Sequence, residues 1–276
     1  MTLRTALIQG TQLLEEGGIA VPRLSAEVLL GFALRRDRSY LYAHPEEELS
    51  EVGWIHFGRY LNERLSGKPP QYITHVQEFY GRSFRVSPAV LIPRPETEHL
   101  VEEALRRVDA GARVVDVGCG SGAIGVTLAI ERGVRACLSD ISAPALAVAR
   151  SNSEALGARV DFVQCDLLAA FEARSLDAVV SNPPYVPETG KASLQREVRD
   201  WEPHIALFGG PSGMEVYQRL AGEAERVLRP GGWLLLELGY NLEERVREML
   251  GAAWETVATT ADLAGIPRVI SARKKP

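Results

Sequence analysis

The chain has 276 residues, 46% hydrophobic and 24% charged, as in a globular protein with one large domain or a large and a small one. The net charge of −5 argues against a broad phosphate-binding surface, so a protein or a small molecule is the expected partner. No long apolar run or signal-peptide pattern is present, so we expect no membrane association and a cytoplasmic location. The three cysteines are widely spaced, which favours reduced thiols over a disulfide framework or a zinc site.

Helical patterns fill the first part of the chain. Apolar residues recur at helical spacing from Leu3 to Leu14, and a second pattern begins near Pro22. A third helix is predicted to start at Pro45, because the three glutamates that follow it suit the positive end of a helix dipole. It would end at the run Gly67–Pro70, so residues 1 to about 70 are predicted to form a small helical domain.

A change of period marks the rest of the chain. Residues 78–86 alternate around Gly81 and predict a β-hairpin, and a helix is predicted to begin at Thr97. Beyond this helix, strand patterns alternate with helical ones, which predicts a mostly parallel sheet covered by helices on both faces. The predicted strands are 113–117, 135–139, 159–163, 176–181, 233–238, 254–259 and 267–272.

A glycine-rich turn, Gly118–Gly122, follows the first strand of this α/β region. Glycine permits positive φ and lets a ligand approach the backbone. Asp140 ends the next strand, where its carboxylate can accept hydrogen bonds from ribose hydroxyls. The third glycine comes one place earlier than in the dinucleotide fingerprint, which favours a nucleoside cofactor over NAD. The predicted cofactor-binding residues here are Gly118, Cys119, Gly120, Ser121 and Asp140.

Two further acids allow two interpretations each. Asp116 precedes the glycine turn and either accepts from an amino group of the cofactor or braces the turn. Asp166 follows the third strand and either accepts from the exocyclic amine of an adenine or caps a helix. If Asp166 contacts the adenine, Leu167 would flank the same ring.

The most informative run is Asn182-Pro183-Pro184-Tyr185, at the carboxyl end of the fourth strand, where open α/β sheets bind ligands. The Asn182 oxygen and the Pro183 carbonyl can accept both hydrogens of an NH₂ group, and Tyr185 offers a flat face. The prolines fix φ and remove two donors. Such acceptors stabilise the positive charge that a nitrogen gains as it attacks a sulfonium methyl.

These features predict an enzyme that methylates an amide or amine nitrogen with S-adenosylmethionine, without a metal. Asn182, Pro183 and Tyr185 are the predicted catalytic residues, and Pro184 joins them in binding the substrate. The structural alternative for this run is a rigid Pro-Pro loop that stiffens the sheet edge.

Over nearly its whole length the chain resembles the S-adenosylmethionine-dependent glutamine-N5 methyltransferases that modify peptide chain release factors. The matching runs are Gly67-Lys68-Pro69-Pro70-Gln71-Tyr72-Ile73, Pro93-Arg94-Pro95-Glu96-Thr97-Glu98, Asp116–Gly122, Asn182–Val186, Glu202-Pro203 with Ala206-Leu207, and Asp262–Arg268. The Asn-Pro-Pro-Tyr run is shared with DNA adenine methyltransferases. This chain departs from its relatives at Leu167, where they often carry an aromatic residue, and at Leu242, where they often carry Gln.

The resemblance implies an N-terminal helical bundle joined by a hairpin to a seven-stranded, Rossmann-like methyltransferase domain. We accordingly divide the chain into a substrate-recognition domain at 1–74, a hairpin linker at 75–95 and a methyltransferase domain at 96–276. The implied substrate is the glutamine of a Gly-Gly-Gln loop in a release factor. The implied cofactor contacts fall on 117–121, Asp140, near Leu167 and on Asn182. We expect a monomer that binds no nucleic acid directly.

Some assignments remain open. Arg94 and Glu98 either hold a linker through salt bridges or act near the cofactor. The run Trp201–His204 is expected to pack over the site, with His204 structural or solvated. An adenine-N6 methyltransferase of DNA or RNA is the alternative function, since an adenine NH₂ fits the same turn. The acidic balance argues against it, and the intact Asn182 argues against an inactive cofactor-binding module.

Overall fold

The computed structural model describes all residues, 1–276. The helices are α1 Leu3–Glu16, α2 Pro22–Leu34, α3 Arg38–Ala43, α4 Glu51–Leu65, α5 Pro70–Thr74, α6 Glu98–Arg107, α7 Ala123–Arg132, α8 Ala143–Leu156, α9 Arg196–Trp201, α10 His204–Leu207, α11 Glu215–Val227 and α12 Glu243–Leu250. The strands are β1 Val76–Phe79, β2 Arg82–Arg85, β3 Arg113–Val117, β4 Arg135–Asp140, β5 Asp161–Gln164, β6 Leu176–Ser181, β7 Leu228–Glu237, β8 Trp254–Ala261 and β9 Pro267–Lys274. None of the helices combines the length and apolar character needed to cross a membrane.

Two compact units make up the chain. The helical unit comprises Met1–Val76 together with Gln195–Trp201, and the sheet unit comprises Gln77–Leu194 together with Glu202–Pro276. In the helical unit the apolar faces of α1, α2 and α4 meet around Leu14, Leu30 and Phe57, which are fully buried. Burial of these side chains is the main force that holds short helices together.

The start of α4 differs from the prediction. The helix begins at Glu51 rather than at Pro45, because Ser50 caps it: the Ser50 hydroxyl accepts a hydrogen bond of 3.1 Å from the Gly53 N–H. Glu48 instead forms an isolated antiparallel bridge with Thr2, so the glutamates after Pro45 belong to a turn. The acidic run is thus compatible with a helix start, but the cap residue decides the boundary.

The sheet unit contains the predicted seven-stranded sheet, in the order β5-β4-β3-β6-β7-β9-β8. Strands β3 to β7 pair in parallel, and β9 runs antiparallel to both β7 and β8. Buried apolar clusters cover both faces of the sheet, which confirms the predicted α/β fold class. Pairing of Val117 with both Ser139 and Ser181 aligns the ends of β3, β4 and β6. Three loops of interest therefore leave the sheet at one edge.

The hairpin β1–β2 is held firmly by the sheet unit. Phe79 and Phe84 lie fully buried in its core, with ring centroids 6.0 Å apart in an edge-to-face arrangement. The Arg85 N–H donates to the Asn152 side-chain oxygen at 2.7 Å, and the Asn152 amide donates to the carbonyls of Arg85 and Ser121. Asn152 therefore ties the hairpin to the glycine turn after β3.

Candidate active site at the carboxyl edge of the sheet

A cavity of about 330 Å³ lies at the carboxyl ends of β3, β4 and β6, within the size range of small-molecule sites. All nine predicted cofactor-binding residues line it: Val117, Gly118, Cys119, Gly120, Ser121, Asp140, Asp166, Leu167 and Asn182. The sheet register explains this convergence, since it brings the ends of the three strands to one level.

Backbone conformation accounts for the glycines of the turn. Gly118, Gly120 and Gly122 have φ of 68°, 53° and 80°, in the left-handed region that favours glycine. The Gly120 N–H donates to the Asp140 carboxylate at 3.0 Å, which fixes the turn against the end of β4. Gly125 serves another purpose, because a Cβ there would lie 2.7 Å from the Leu138 side chain and 3.0 Å from the Asp116 Cβ. It lets α7 pack closely on β3 and β4.

Asp116 braces this turn from inside the protein. Its carboxylate is fully buried and accepts a hydrogen bond of 2.8 Å from the Gly125 N–H, while its Oδ1 has no partner. Burial raises the pKa of Asp116 to about 7. Because Asp116 does not line the cavity, the geometry favours the bracing interpretation over a direct cofactor contact.

Asp140 and Asp166, the two acids on the cavity wall, have different hydrogen-bond partners. The Asp140 oxygens accept from the N–H groups of Gly120 and Ser142, and each oxygen keeps a lone pair for a further donor. Asp166 forms a half-exposed ion pair of 2.7 Å with Arg219, which also lines the cavity. The N-cap alternative for Asp166 is wrong, since residues 167–170 form a turn and not a helix, and Leu167 has a φ of 47°.

The Asn182 side chain is held from behind. Its Nδ2 donates to the Thr97 hydroxyl at 3.3 Å, and the Thr97 hydroxyl lies 2.6 Å from the Glu237 carboxylate. The Asn182 oxygen takes no hydrogen bond within the protein, and the residue lines the cavity with Pro184. This arrangement leaves a hydrogen-bond acceptor for a ligand at the sheet edge.

Pro183 and Tyr185 do not line the cavity. The Tyr185 ring packs against Gly239, where a Cβ would come within 2.7 Å of the ring. Burial raises the pKa of the Tyr185 phenol to about 12, so it stays neutral at physiological pH. The catalytic and substrate-binding roles assigned to these two residues therefore remain predictions.

A second segment, residues 207–213, clamps the Asn-Pro-Pro-Tyr run. The Val186 N–H donates to the Leu207 carbonyl at 2.9 Å, and the Gly209 N–H donates to the Val186 carbonyl at 3.0 Å. A Cβ at Gly209 would lie 2.3 Å from the Pro184 carbonyl oxygen, and one at Gly213 would lie 2.4 Å from the Tyr185 oxygen. The sequence interpretation missed this clamp, although three glycines within 209–213 were a usable signal.

Arg94 and Glu98 make contacts in different places. Arg94 lines the cavity and forms an ion pair with the buried Glu202, whose carboxylate also accepts from the Ile92 N–H at 3.2 Å. Glu98 instead accepts from the Tyr80 N–H at 2.8 Å and so secures the hairpin turn.

The residues of the run Trp201–His204, which was predicted to pack over the site, also lie in different places. Pro203 lines the cavity, whereas Trp201 belongs to the helical unit. His204 is exposed, with its ring edge-on to Phe208 at 5.4 Å.

Comparison with known proteins places the chain in a family. The family profile described as "PrmC N-terminal domain" matches residues 5–74, and that described as "Methyltransferase small domain" matches residues 96–198. A protein of Koribacter versatilis named release factor glutamine methyltransferase is 47% identical over 278 residues, which cover 99% of each chain. The chain belongs to the release factor glutamine methyltransferase family. The resemblance drawn from the sequence motifs is therefore confirmed.

Solved structures share the fold over about 70% of this chain. A methyltransferase from Pyrococcus furiosus is 16% identical, with a TM-score of 0.56 over 72% of this chain and 91% of that one. The Mtq2–Trm112 complex of E. cuniculi, described as responsible for methylation of the translation termination factor eRF1, is 24% identical. It has a TM-score of 0.50 over 68% of this chain and 99% of that one. At these identities the likeness shows the fold alone.

Proposed function

We propose that this protein transfers a methyl group from S-adenosylmethionine to the side-chain amide nitrogen of the glutamine in the Gly-Gly-Gln loop of peptide chain release factors. The observation that carries the proposal is the unpaired Asn182 oxygen beside the glycine turn, in a chain whose relative named for this activity is 47% identical. An amide NH₂ is the donor that such an oxygen recognises.

The cavity suits the proposed cofactor. The Gly118–Gly122 turn presents backbone without side chains, and Asp140 retains lone pairs for ribose hydroxyls. Asp166 and Leu167 offer an acceptor and an apolar contact for the adenine. Arg94 is a cation on the wall that suits a carboxylate. When bound, S-adenosylmethionine supplies an electrophilic methyl group on a sulfonium sulfur.

The protein's own contribution is to position and polarise the nitrogen nucleophile. An amide nitrogen is a poor nucleophile because its lone pair is delocalised into the carbonyl. The Asn182 oxygen and the Pro183 carbonyl would accept its two hydrogens and stabilise the positive charge that develops, by a few kcal/mol per well-aimed group. Holding the nitrogen in one fixed position beside the bound cofactor would add an entropic gain.

The two parts of the chain would share the work. Residues 1–74 would recognise the body of the release factor, 75–95 would link the domains, and 96–276 would carry out the transfer. The first family match, over residues 5–74, supports a division near this point. The acidic balance supports a protein partner without direct nucleic acid contact, and we propose a monomer in the cytoplasm.

Labelled cofactor tests the proposal. The enzyme is incubated with a release factor, with the same factor carrying Ala in place of its Gly-Gly-Gln glutamine, or with duplex DNA. We expect label only on the unaltered factor. Label on DNA would favour the adenine-N6 alternative, and label that survives the Gln change would contradict glutamine as the acceptor.

A further inference from the structure

Thr97 lies between Asn182 and Glu237 in the interior of the sheet unit. Thr97 and Glu237 are each 4% exposed. The Thr97 hydroxyl oxygen is 2.6 Å from the Glu237 Oε2 and 3.3 Å from the Asn182 Nδ2. Thr97 precedes α6, but its side chain makes no capping hydrogen bond to that helix. Its hydroxyl is therefore free to serve the two side chains that flank it.

The number of hydrogens on each group decides which side chain donates in the two hydrogen bonds that link Asn182, Thr97 and Glu237. A hydroxyl has a single hydrogen, and an ionised carboxylate can only accept. Thr97 must therefore donate to Glu237, and its oxygen is left to accept from Asn182. An amide can satisfy that oxygen only with its NH₂ group, so the Asn182 oxygen faces away from Thr97.

We propose that Thr97 and Glu237 are positioning residues that fix the orientation of the Asn182 amide, so that its oxygen and not its NH₂ meets the substrate nitrogen. This inference deepens the proposed function and rests on it for the identity of the substrate. A flipped amide would place two donors against a substrate NH₂, which is itself a donor, and the acceptor pocket would be lost.

The same geometry makes the amide orientation sensitive to pH. Burial raises the pKa of Glu237 to about 7. The charged and titratable groups around it are Glu96, Arg94, Arg268, Tyr185 and Tyr217. A protonated Glu237 donates to Thr97, and the Thr97 hydrogen then points at Asn182 and favours the amide oxygen there. Turnover should consequently fall as the pH drops below about 7.

Two substitutions at Thr97 test the inference in the full-length protein. Thr97→Val keeps the shape but removes the hydroxyl, and we expect kcat to fall roughly tenfold or more with cofactor affinity within about twofold. Thr97→Ser restores the hydroxyl and should restore most of kcat. The matched control is Thr127→Val, which removes another buried hydroxyl, one bonded to the Ala123 carbonyl. A Thr97→Val enzyme that matches the control, or a Thr97→Ser enzyme as impaired as Thr97→Val, overturns the inference.

Proton exchange of the Asn182 side chain does not depend on catalysis, so its measurement tests this inference separately from the proposed function. The side-chain NH₂ of Asn182 is observed by ¹H–¹⁵N NMR and assigned by its loss in Asn182→Ser. Its bond to Thr97 should slow proton exchange in the wild type and in Thr97→Ser but not in Thr97→Val. Equal exchange in all three proteins overturns the inference even if release factors are methylated. Protection with no release factor methylation defeats the proposed function alone.

The pH arm uses Glu237→Gln, whose amide oxygen can still accept from Thr97 without titrating. At saturating cofactor, we expect the fall of kcat below pH 7 in the wild type to be absent from the variant. The same acid limb in both enzymes overturns the role of Glu237. If the variant does not turn over, the wild-type protein decides: the protection of the Asn182 NH₂ from exchange, relative to a free asparagine amide at the same pH, should be lower at pH 6 than at pH 8. Equal protection at the two pH values overturns the role of Glu237.

Discussion

The side chain of Asn182, at the end of a strand, is held by a residue far away in sequence. Its carbonyl oxygen is free, and its Nδ2 is occupied by Thr97. We expect Asn182→Ala to lower kcat by about 10²–10³-fold, the loss seen when one preorganised polar group is removed from a transition state. Cofactor affinity should fall only modestly, because the glycine turn and Asp140 remain.

Single-turnover rates and cofactor binding by calorimetry check this expectation. Asn182→Asp is an informative companion, since it keeps an acceptor of the same shape but adds charge and loses the donor to Thr97. A kcat within threefold of wild type in Asn182→Ala would contradict the acceptor role. A collapse of cofactor affinity would show instead that Asn182 mainly holds the cofactor.

Asp116 predicts a pH dependence of stability. Its pKa rises from an ordinary 3.8 to about 7 in the folded protein, so between these values the folded state binds more protons than the unfolded state. The stability from the neutral acid is fully present below pH 3.8 and is lost as pH rises through about 7. Asp116→Asn lacks this titration. The difference in the free energy of unfolding, variant minus wild type, should therefore increase by a few kcal/mol as the pH is raised from 4 to 8.

Urea unfolding at several pH values, followed by circular dichroism, measures that difference. The fixed cost of the new amide does not matter, because only the change with pH is predicted. Glu237 titrates in both proteins and cancels in the comparison. Free energies of unfolding that stay parallel for the two proteins across this range would refute the raised pKa of Asp116.

Among the helices and strands, the sequence pattern predicted those bounds that are set by residues close together in the chain. The strand bounds Arg113–Val117 and Leu176–Ser181 coincide with the predicted 113–117 and 176–181 because these are continuous apolar runs ended by turn residues. The start of α4 was missed because a cap serine outweighed an acidic run. The Thr97–Asn182 contact joins residues 85 positions apart, and no periodicity reports such a pairing.

The clamp formed by 207–213 yields a prediction for an element. Gly209→Ala would place a methyl group 2.3 Å from the Pro184 carbonyl oxygen, so the Asn-Pro-Pro-Tyr run must move. We expect kcat to fall at least about tenfold, since small misplacements of reacting groups are costly. Gly222→Ala in α11 is the control, because nothing lies within 4 Å of the added carbon. It should be neutral or slightly stabilising.

Kinetics of both variants, with thermal unfolding alongside, tests the clamp. The Gly209→Ala enzyme should remain folded and bind the cofactor, because the displaced atoms belong to Pro184 and not to the glycine turn. Wild-type turnover in Gly209→Ala would mean that turnover does not depend on how the clamp positions the Asn-Pro-Pro-Tyr run. Equal losses in both variants would indicate a general effect of glycine replacement.

At the scale of the whole molecule, one segment groups with a part of the chain that is distant from it in sequence. Gln195–Trp201 groups with Met1–Val76, although it follows the Asn-Pro-Pro-Tyr run in sequence. Within the helical unit, Arg64 pairs with Glu197 at 2.6 Å and Arg196 donates to the Ser66 carbonyl. These contacts join distant parts of the chain, so sequence spacing could not predict them. Deletion of the N-terminal domain would strip this segment of its partners.

Substitutions on the intact chain therefore test substrate recognition better than a deletion. Val52 and Ile55 lie three residues apart on one face of α4 and are 63% and 62% exposed. Changing both to Gln keeps helix propensity and charge but removes apolar surface. If the helical unit binds the body of the release factor, KM for the whole factor should rise several-fold while KM for a Gly-Gly-Gln peptide stays unchanged. Remote contacts of this kind add uniform binding, so kcat should also be unaffected.

The comparison of two substrates makes this prediction decisive, because a peptide that carries only the loop has no surface for the helical unit to hold. Leu263→Gln serves as the control, since Leu263 is 105% exposed and belongs to the sheet unit. The control should leave both KM values unchanged. Equal rises for factor and peptide in the α4 variant would show damage to the active site. No rise for either would mean that this face of α4 does not contact the release factor.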